Sequence, residues 1–260
     1  MQSMSTGLSA LNAASSWLNQ ISDNLANQNT VGFAADQGSF ADTLTAHLSG
    51  SATAPTVAPR DTPLGWWGGT GVLNVGEGHN FSQMPLQKTD NPLDVAIQGS
   101  AFFQVQGPNN TTLYTKAGNF QWSKRADGKF ELAMPNGMPV LDMNGQPILQ
   151  PASGAANMSI GSNGQISYGT TRGQTIAMAH VPLPGTNLTA QGNNTYSLNA
   201  AVKATPASAS TMSQGYLAMS NVDMTKEMVD MITAQRMFDL NSESIQLTGR
   251  MDGIANNIHP

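Results

Sequence analysis

The chain has 260 residues, of which 39% are hydrophobic and only 10% charged, and its formal net charge is −5. The acidic balance argues against nucleic-acid binding, and the lack of cysteine excludes disulfides, thiolate chemistry and cysteine-ligated zinc. The first 22 residues are too polar for a membrane-spanning helix, and they lack the basic and apolar regions of a cleavable signal peptide.

The N-terminal segment has an apolar residue at every seventh position, which predicts an amphipathic helix with a heptad stripe. The stripe consists of Met4, Leu11, Leu18 and Leu25, with Leu8 and Ile21 beside it. Small residues on the facing side, such as Gly7 and Ala14, would allow close approach of a second helix. The helix could pack on its own domain or pair with a helix from the other end of the chain. The second arrangement is favoured, because little else between the ends has a helical pattern.

Asparagines crowd the end of this helix, within the sequence SDNLANQNTVGF (residues 22–33). Gly32 can adopt the positive φ that ends such a segment. The pattern N-L-A-N-x-N-T-x-G-F, which includes Asn24, Asn27 and Phe33, resembles the signature of flagellar rod and hook proteins. That family usually has a basic residue after the Gly-Phe pair, where this chain has Ala34.

Residues 36–75 are predicted to be an extended linker, because residues 45–70 are rich in Pro, Gly, Ala and Thr without periodicity. Its adjacent Trp66 and Trp67 could pack on the neighbouring domain or contact another subunit.

Residues 76–202 are predicted to form a compact, mostly antiparallel β-rich body, because short alternating runs are separated by Asn-Gly and Asp-Gly turns. Four such turns begin at Asp127, Asn136, Asn144 and Asn163. The run DNPLDVAIQGSAFFQVQ (residues 90–106) resembles the first strands of the β-domain in the rod and hook family. Residues 117–148 resemble the hairpins that follow in that family.

Residues 203–214 are predicted to be a second linker, and the segment from residue 215 to the end to be helical. Ser220 and Asn221 are plausible N-caps of a helix that would run from residue 222 to 258. At 1.5 Å per residue that helix would be roughly 55 Å long, whereas a globule of this size has a radius of gyration of about 18 Å. Such a helix needs a partner. The segment that leads into it, QGYLAMSNV (residues 214–222), resembles the other hallmark of the same family.

No residues form a convincing catalytic or metal site. The chain has four histidines, and His79 lies two residues from Glu77, but neither HExxH nor a cluster of carboxylates accompanies them. We therefore predict no enzymatic activity and no cofactor.

The predicted fold is α+β, with N-terminal (1–35) and C-terminal (215–260) helical segments paired as a coiled coil and a central, mostly antiparallel β-domain between them in the sequence. The predicted assembly interface comprises Met4, Leu8, Leu11, Leu18, Asn24, Leu25, Asn27, Phe33, Met224, Met228, Met231, Phe238, Ile245, Leu247, Met251 and Ile254.

The resemblance implies a structural subunit of the flagellar basal-body rod, most similar to distal rod members of the family and next to proximal ones. It implies self-assembly with copies of the chain and with other rod and hook proteins. It also implies passage through the flagellar type III export apparatus without signal cleavage, to an extracytoplasmic position in the periplasm or cell wall. The alternative is a secreted β-rich module that binds cell-wall glycan through Trp66, Trp67 and Trp122.

Overall fold

The structure is a computed structural model that describes residues 2–42, 45–48, 66–69, 71–125, 127–151, 158–207 and 210–258. Residues 49–65 of the predicted linker lie outside the described residues, as do the side chains of Met4, Trp66 and Trp67. Helices and antiparallel strands are both present, which confirms the predicted α+β class. The chain divides into two compact units. The first contains Met1–Asp23, Gly38–Gly76 and Thr225–Pro260, and the second contains Asn24–Gln37 and Glu77–Met224.

The described residues contain two long helices and one short helix. They are α1 (Gln2–Ala26), α2 (Pro184–Asn187) and α3 (Met224–Ile258). The long helices agree with the predicted periodic segments at the two ends of the chain.

The segment predicted to be a linker instead contains strands, most of whose residues belong to the first unit. These are β1 (Asp36–Asp42), β2 (Thr45–Leu48), β3 (Trp66–Gly69) and β4 (Val72–His79). β1 pairs with β4, and β2 with β3. In the first unit, α1 packs on this ribbon: the Trp17 and Phe40 rings meet edge to face with centroids 5.2 Å apart, and the Val72 N–H donates to Ser9 Oγ at 3.2 Å. Extended segments pair in this way because their backbone groups require hydrogen-bond partners.

The second unit contains fifteen further strands within the described residues. They are β5 (Leu86–Lys88), β6 (Val95–Gln98), β7 (Ala101–Gln106), β8 (Thr112–Thr115), β9 (Gln121–Lys124), β10 (Phe130–Ala133), β11 (Met158–Ile160), β12 (Gln165–Tyr168), β13 (Thr171–Thr175), β14 (Met178–His180), β15 (Leu188–Gly192), β16 (Thr195–Leu198), β17 (Thr205–Pro206), β18 (Thr211–Gln214) and β19 (Tyr216–Ala218). Six form one antiparallel sheet in the order β15-β16-β8-β7-β14-β17. Smaller sheets pair β9 with β10 and join β11, β12 and β13.

Hydrophobic clusters cover both faces of the six-stranded sheet. Consecutive residues of a strand point to opposite faces, so Phe103 belongs to one cluster and Phe102 to the other, and both are fully buried. The larger cluster also contains Ile97, Leu132 and Ile166. The body therefore has a core of its own.

The chain returns to the β-body before α3 begins. β18 pairs with β6, with Met212 opposite Ile97, and β19 pairs with β5, with Leu217 opposite Gln87. Part of the segment predicted as the second linker is therefore strand, and the hallmark QGYLA is bound to the body rather than forming a free loop before the helix.

Candidate assembly interface

The predicted heptad stripe of α1 is only partly covered. Leu11, Leu18 and Leu25 are half-buried, whereas Leu8 is exposed. Positions beside these leucines are the most completely buried: Ala13, Ala14 and Ile21. The most buried side of α1 therefore lies beside the predicted stripe rather than along it.

Within the first unit, α1 and α3 come close at Gly7. A Cβ atom placed on Gly7 would lie 2.9 Å from Cγ1 of Ile245, which is shorter than a normal van der Waals contact. Ile245 is itself half-buried. The absence of a side chain at Gly7 therefore permits this approach between two predicted interface segments.

The two sides of α3 differ in exposure. Ala234 is fully buried, and Met231 and Ile245 on the same side are half-buried. Six predicted interface residues are exposed by between 39% at Phe238 and 68% at Met251. They are Met224, Met228, Phe238, Leu247, Met251 and Ile254. A soluble protein rarely leaves so many large apolar side chains in one element exposed, and such surfaces mark interaction sites.

The predicted asparagine Asn24 is a structural residue of the second unit. It is buried, its Nδ2 donates to Asp36 O at 3.0 Å, and its Oδ1 accepts from Asp36 N at 2.8 Å. Nearby, Thr30 Oγ1 donates to Asn27 Oδ1 at 3.1 Å, while Phe33 is half-buried. These asparagines therefore fix the loop after α1, which explains why amide side chains occur there.

Gly32 adopts a positive φ of 70°, as predicted. A Cβ atom there would lie 2.4 Å from the backbone nitrogen of Ala117, so the loop touches the β-body backbone directly. The Gly32 N–H donates to Ala218 O at 2.8 Å, which joins the two hallmark segments from opposite ends of the chain.

Asn221 is not the N-cap that the sequence predicted. Its Oδ1 accepts from Ala35 N at 2.8 Å, and its Nδ2 donates to Asn80 O at 2.7 Å. The N–H of Val222 donates to Ser220 Oγ at 3.3 Å, and α3 begins only at Met224. The amide of Asn221 satisfies distant backbone groups, and local spacing carries no signal for such a role.

A second feature that sequence reasoning missed is a polar cluster around His79. Its Nδ1 contacts the Asp36 carboxylate, and its ring centroid lies 5.1 Å from that of Tyr196. Burial raises the pKa of the Tyr196 hydroxyl to about 12, and the nearby Asp36 carboxylate adds to the rise. The sequence suggested only Glu77 and His79 as weak metal candidates. Across the described residues, no three histidine or acidic side chains gather in a way that could hold a metal ion.

Lys116 is a further buried group that the sequence did not reveal. Its Nζ donates to Gly99 O at 2.8 Å and lies 4.9 Å from the centre of the Phe102 ring. Burial lowers the pKa of the Lys116 ammonium to about 8. The surroundings of Lys116 therefore disfavour the charged ammonium although it donates a hydrogen bond.

The glycan-binding alternative required three exposed tryptophans. Trp122 is instead half-buried and packs against the larger core cluster, and the other two side chains lie outside the described residues. Among the helices of the described residues, none combines the length and the hydropathy needed to span a membrane.

Three family profiles match the chain in order. They are "Flagella basal body rod protein" at residues 4–33, "Flagellar hook protein FlgE/F/G D1 domain" at residues 96–168 and "Flagellar basal body rod FlgEFG protein C-terminal" at residues 213–258. The matched segments contain both hallmarks and the hairpins of the body.

Curated relatives match nearly end to end. The chain is 34% identical over 246 residues to the flagellar basal-body rod protein FlgG of Buchnera aphidicola subsp. Schizaphis graminum, covering 90% of each chain. It is 31% identical over 263 residues to FlgG of Bacillus subtilis, covering 94% of each. It is also 29% identical over 271 residues to the flagellar hook-basal body complex protein FlhP of Bacillus subtilis, covering 99% of each.

These matches leave the glycan-binding alternative without support and confirm the prediction that the protein is structural rather than enzymatic. The chain belongs to the flagellar basal-body rod protein family and is a structural subunit of the bacterial flagellar rod.

Proposed function

We propose that this rod subunit assembles through its terminal helices, which pair with each other inside one subunit and pack on neighbouring subunits along the shaft. The observation that supports this most directly is the exposed apolar surface of α3 beside the close approach of Gly7 to Ile245. A long helix with an uncovered apolar side gains stability mainly from packing, not from its own propensity.

The contact at Gly7 suggests a register for the pair. If α1 and α3 run antiparallel, steps of three and four residues from Gly7 and Ile245 define a register along both helices. The proposed pairs are Gly7–Ile245, Leu11–Asn241, Ala14–Phe238, Leu18–Ala234 and Ile21–Met231. These positions follow the heptad spacing of a coiled coil on both helices.

Burial favours the antiparallel direction over the parallel one. In an antiparallel pair, Ala14 and Ile21 face the part of α3 that precedes Ile245, where Ala234 is fully buried. In a parallel pair they would face the part that follows, where Leu247 and Met251 are at least half exposed. The buried part of α1 therefore faces the more buried part of α3 only in the antiparallel direction.

The exposed side of α3 then serves as the contact with neighbouring subunits. Apolar burial contributes about 25 cal/mol per Å², so rows of exposed Leu, Ile and Met repeated in every subunit sum to a stable shaft. A contact between different surfaces of identical subunits that does not close into a ring produces a helical filament, as a shaft requires.

We further propose a place in the distal part of the rod. Relatives named FlgG support it, as does the slightly higher identity to FlgG than to FlhP in Bacillus subtilis. The proposed partners are copies of the chain, other rod and hook proteins, and the flagellar type III export apparatus. The proposed location is extracytoplasmic, reached without cleavage of a signal peptide.

Replacing Ile254 with Lys tests assembly through α3. Ile254 is 60% exposed, so the charge should leave the β-body folded but block packing between subunits, because an unpaired charge in an apolar interface is costly. The variant is expressed in a strain that lacks the protein, and swimming and rod completion are scored. Ile254→Leu is the matched control. Normal rods built from the Ile254→Lys chain would refute the proposal.

The position in the rod has a separate test. Basal bodies isolated from a strain without this protein should contain short rods and no hooks or filaments. A complete rod with an attached hook in that strain would contradict the distal assignment.

A further inference from the structure

The hairpin of β9 and β10 extends beyond the core of the β-body. In an antiparallel pair, directly opposite residues project from the same face. Leu132 opposite Trp122 belongs to the buried end of this face. The next pair on that face is Phe130 opposite Lys124, and both side chains are exposed, Phe130 by 44%. The face that packs in the core therefore continues outward as an uncovered apolar and basic surface.

The tip of this hairpin is the densest basic region of an acidic chain. Residues 124–129 include Lys124, Arg125 and Lys129 against one acidic residue, Asp127, while the whole chain carries −5. The three basic side chains are exposed, and the Arg125 Nε to Asp127 Oδ2 distance of 3.6 Å leaves most of the positive charge uncompensated.

Two backbone hydrogen bonds join described residues of the tip. The Arg125 N–H donates to Lys129 O at 2.8 Å, and the Gly128 N–H donates to Arg125 O at 3.0 Å. These bonds restrain the backbone between Arg125 and Lys129, which lowers the backbone entropy lost on binding.

The middle of α3 has the complementary surface. Asp239 and Glu243 are exposed and one turn apart, and Leu240 beside them is 67% exposed. Like charges at positions i and i+4 destabilise a helix, so cations supplied from outside would stabilise this turn. The whole helix has five acidic and three basic residues.

We propose that the described residues of the hairpin tip (124, 125 and 127–130) of one subunit dock on the Asp239–Glu243 turn of α3 in a second copy of the chain. The basic side chains pair with the two carboxylates, and Phe130 covers Leu240. The inference rests on the proposed assembly of subunits side by side, and it adds a specific contact between the body of one copy and the helix of another. The two surfaces are different, so the contact can repeat from copy to copy without closing.

Charge reversal tests the contact in cells that lack the wild-type protein. One variant carries Lys124→Glu and Lys129→Glu, and the other carries Asp239→Lys and Glu243→Lys. Each alone should reduce completed rods by about tenfold, because attractive exposed pairs become repulsive. Expressed together they should restore rods, because the reversed hairpin of one chain fits the reversed helix of the other.

The control carries Arg172→Glu and Lys203→Glu, which makes the same charge change at exposed residues elsewhere on the body. It should assemble normally. Equal loss in the control, or no recovery on co-expression, overturns the proposal. Loss without recovery would point instead to an anionic cell-wall polymer as the occupant of the hairpin.

Disulfide crosslinking gives a direct test, because the chain has no cysteine of its own. Lys129→Cys and Glu243→Cys in one chain should give a ladder of crosslinked multimers when isolated basal bodies are oxidised, whereas Arg172→Cys with Glu243→Cys should not. A crosslink confined to single chains, or none in rods that form normally, overturns the contact. If the cysteine variants build no rods, the co-expression of the two charge-reversed chains tests the contact instead.

The Ile254→Lys experiment separates failure of this contact from failure of the proposed function. If rods tolerate Ile254→Lys, assembly through α3 is wrong. If Ile254→Lys blocks rods while the hairpin variant assembles normally, only the hairpin contact is wrong.

Discussion

The β-body and helix α3 differ in how much of their apolar surface is buried within one chain. The body buries its largest residues completely within its own clusters, including Phe102, Phe103 and Ile97. In α3, Ala234 is the one apolar residue in the buried class among the described residues, while Leu and Met side chains remain exposed. The body therefore buries its core within one chain, whereas the helix leaves apolar surface that the proposed assembly would cover.

The largest predicted effect compares one substitution in these two regions. Leu132→Ala should lower the free energy of unfolding by about 2–5 kcal/mol, because it leaves a cavity in a closed core. Leu247→Ala, at a half-exposed position, should change it by less than about 0.5 kcal/mol. Urea unfolding of the purified monomer measures both.

If the two substitutions lowered the free energy of unfolding by similar amounts, Leu247 would already be buried within one chain, and the contrast between the body and α3 would be wrong. Leu247→Ala should nevertheless reduce rod formation in cells, where the partner surface is present.

The next prediction concerns the loss of hydration at the buried Lys116 ammonium. Its folded pKa of about 8 lies below the ordinary value of about 10.4. The folded state therefore binds fewer protons than the unfolded state between these values, and stability rises with pH across that window. Relative to Lys116→Met, the wild-type chain should gain on the order of 2 kcal/mol between pH 7.5 and 9.5.

The upper limit stays below pH 10 because the raised pKa of Tyr196 has the opposite effect there, favouring the unfolded state as tyrosine ionises. Parallel urea titrations of the two chains at each pH give the difference. A difference that does not change with pH would show that Lys116 is hydrated.

The next effect is expected in the first hallmark segment, where Asn24 bonds to the backbone of Asp36. Asn24→Ala should cost about 1–3 kcal/mol, because it leaves the N–H and C=O of Asp36 without the partners they have now. Asn29→Ala, in the same signature but exposed, should cost less than about 0.5 kcal/mol. Thermal unfolding followed by circular dichroism compares the two, and equal costs would remove the structural explanation of the signature.

The smallest effect tests the proposed helix pair. Gly7→Ala improves helix propensity by about 1 kcal/mol but places Cβ against Ile245, so the net change should be small. The same substitution in an Ile245→Ala background should be clearly more favourable, with a coupling energy of at least about 0.5 kcal/mol. A double-mutant cycle on monomer stability measures the coupling, and additivity would argue against the pair.

Local chemistry was sufficient to predict much of the body. Positive-φ glycines occur in the predicted Asn-Gly and Asp-Gly turns, as at Gly137 and Gly164, and the strands flanking Asn163 pair as expected. The long helices were predictable because their apolar periodicity extends over many turns. Both kinds of signal lie within a few residues of the structure they specify.

Features that depend on distant partners were not predictable. β1 and the first half of β4 lie in the segment predicted to be a linker, and their pairing is a property of two segments far apart in sequence. The role of Asn221 depends on Ala35 and Asn80, which no local pattern connects to it. In the predicted interface, Leu8 and Leu11 share a stripe, but only the three-dimensional structure distinguishes an exposed side chain from a half-buried one.

The hydrogen bond from Ala35 to Asn221 joins residues 186 positions apart. Contacts at such separation form late, because closing a long loop is slow and is stabilised only after the ends have met. A chain that emerges gradually from the ribosome must therefore keep its first signature open until nearly the whole sequence has been made. A truncated product that lacks Asn221 therefore cannot form this junction.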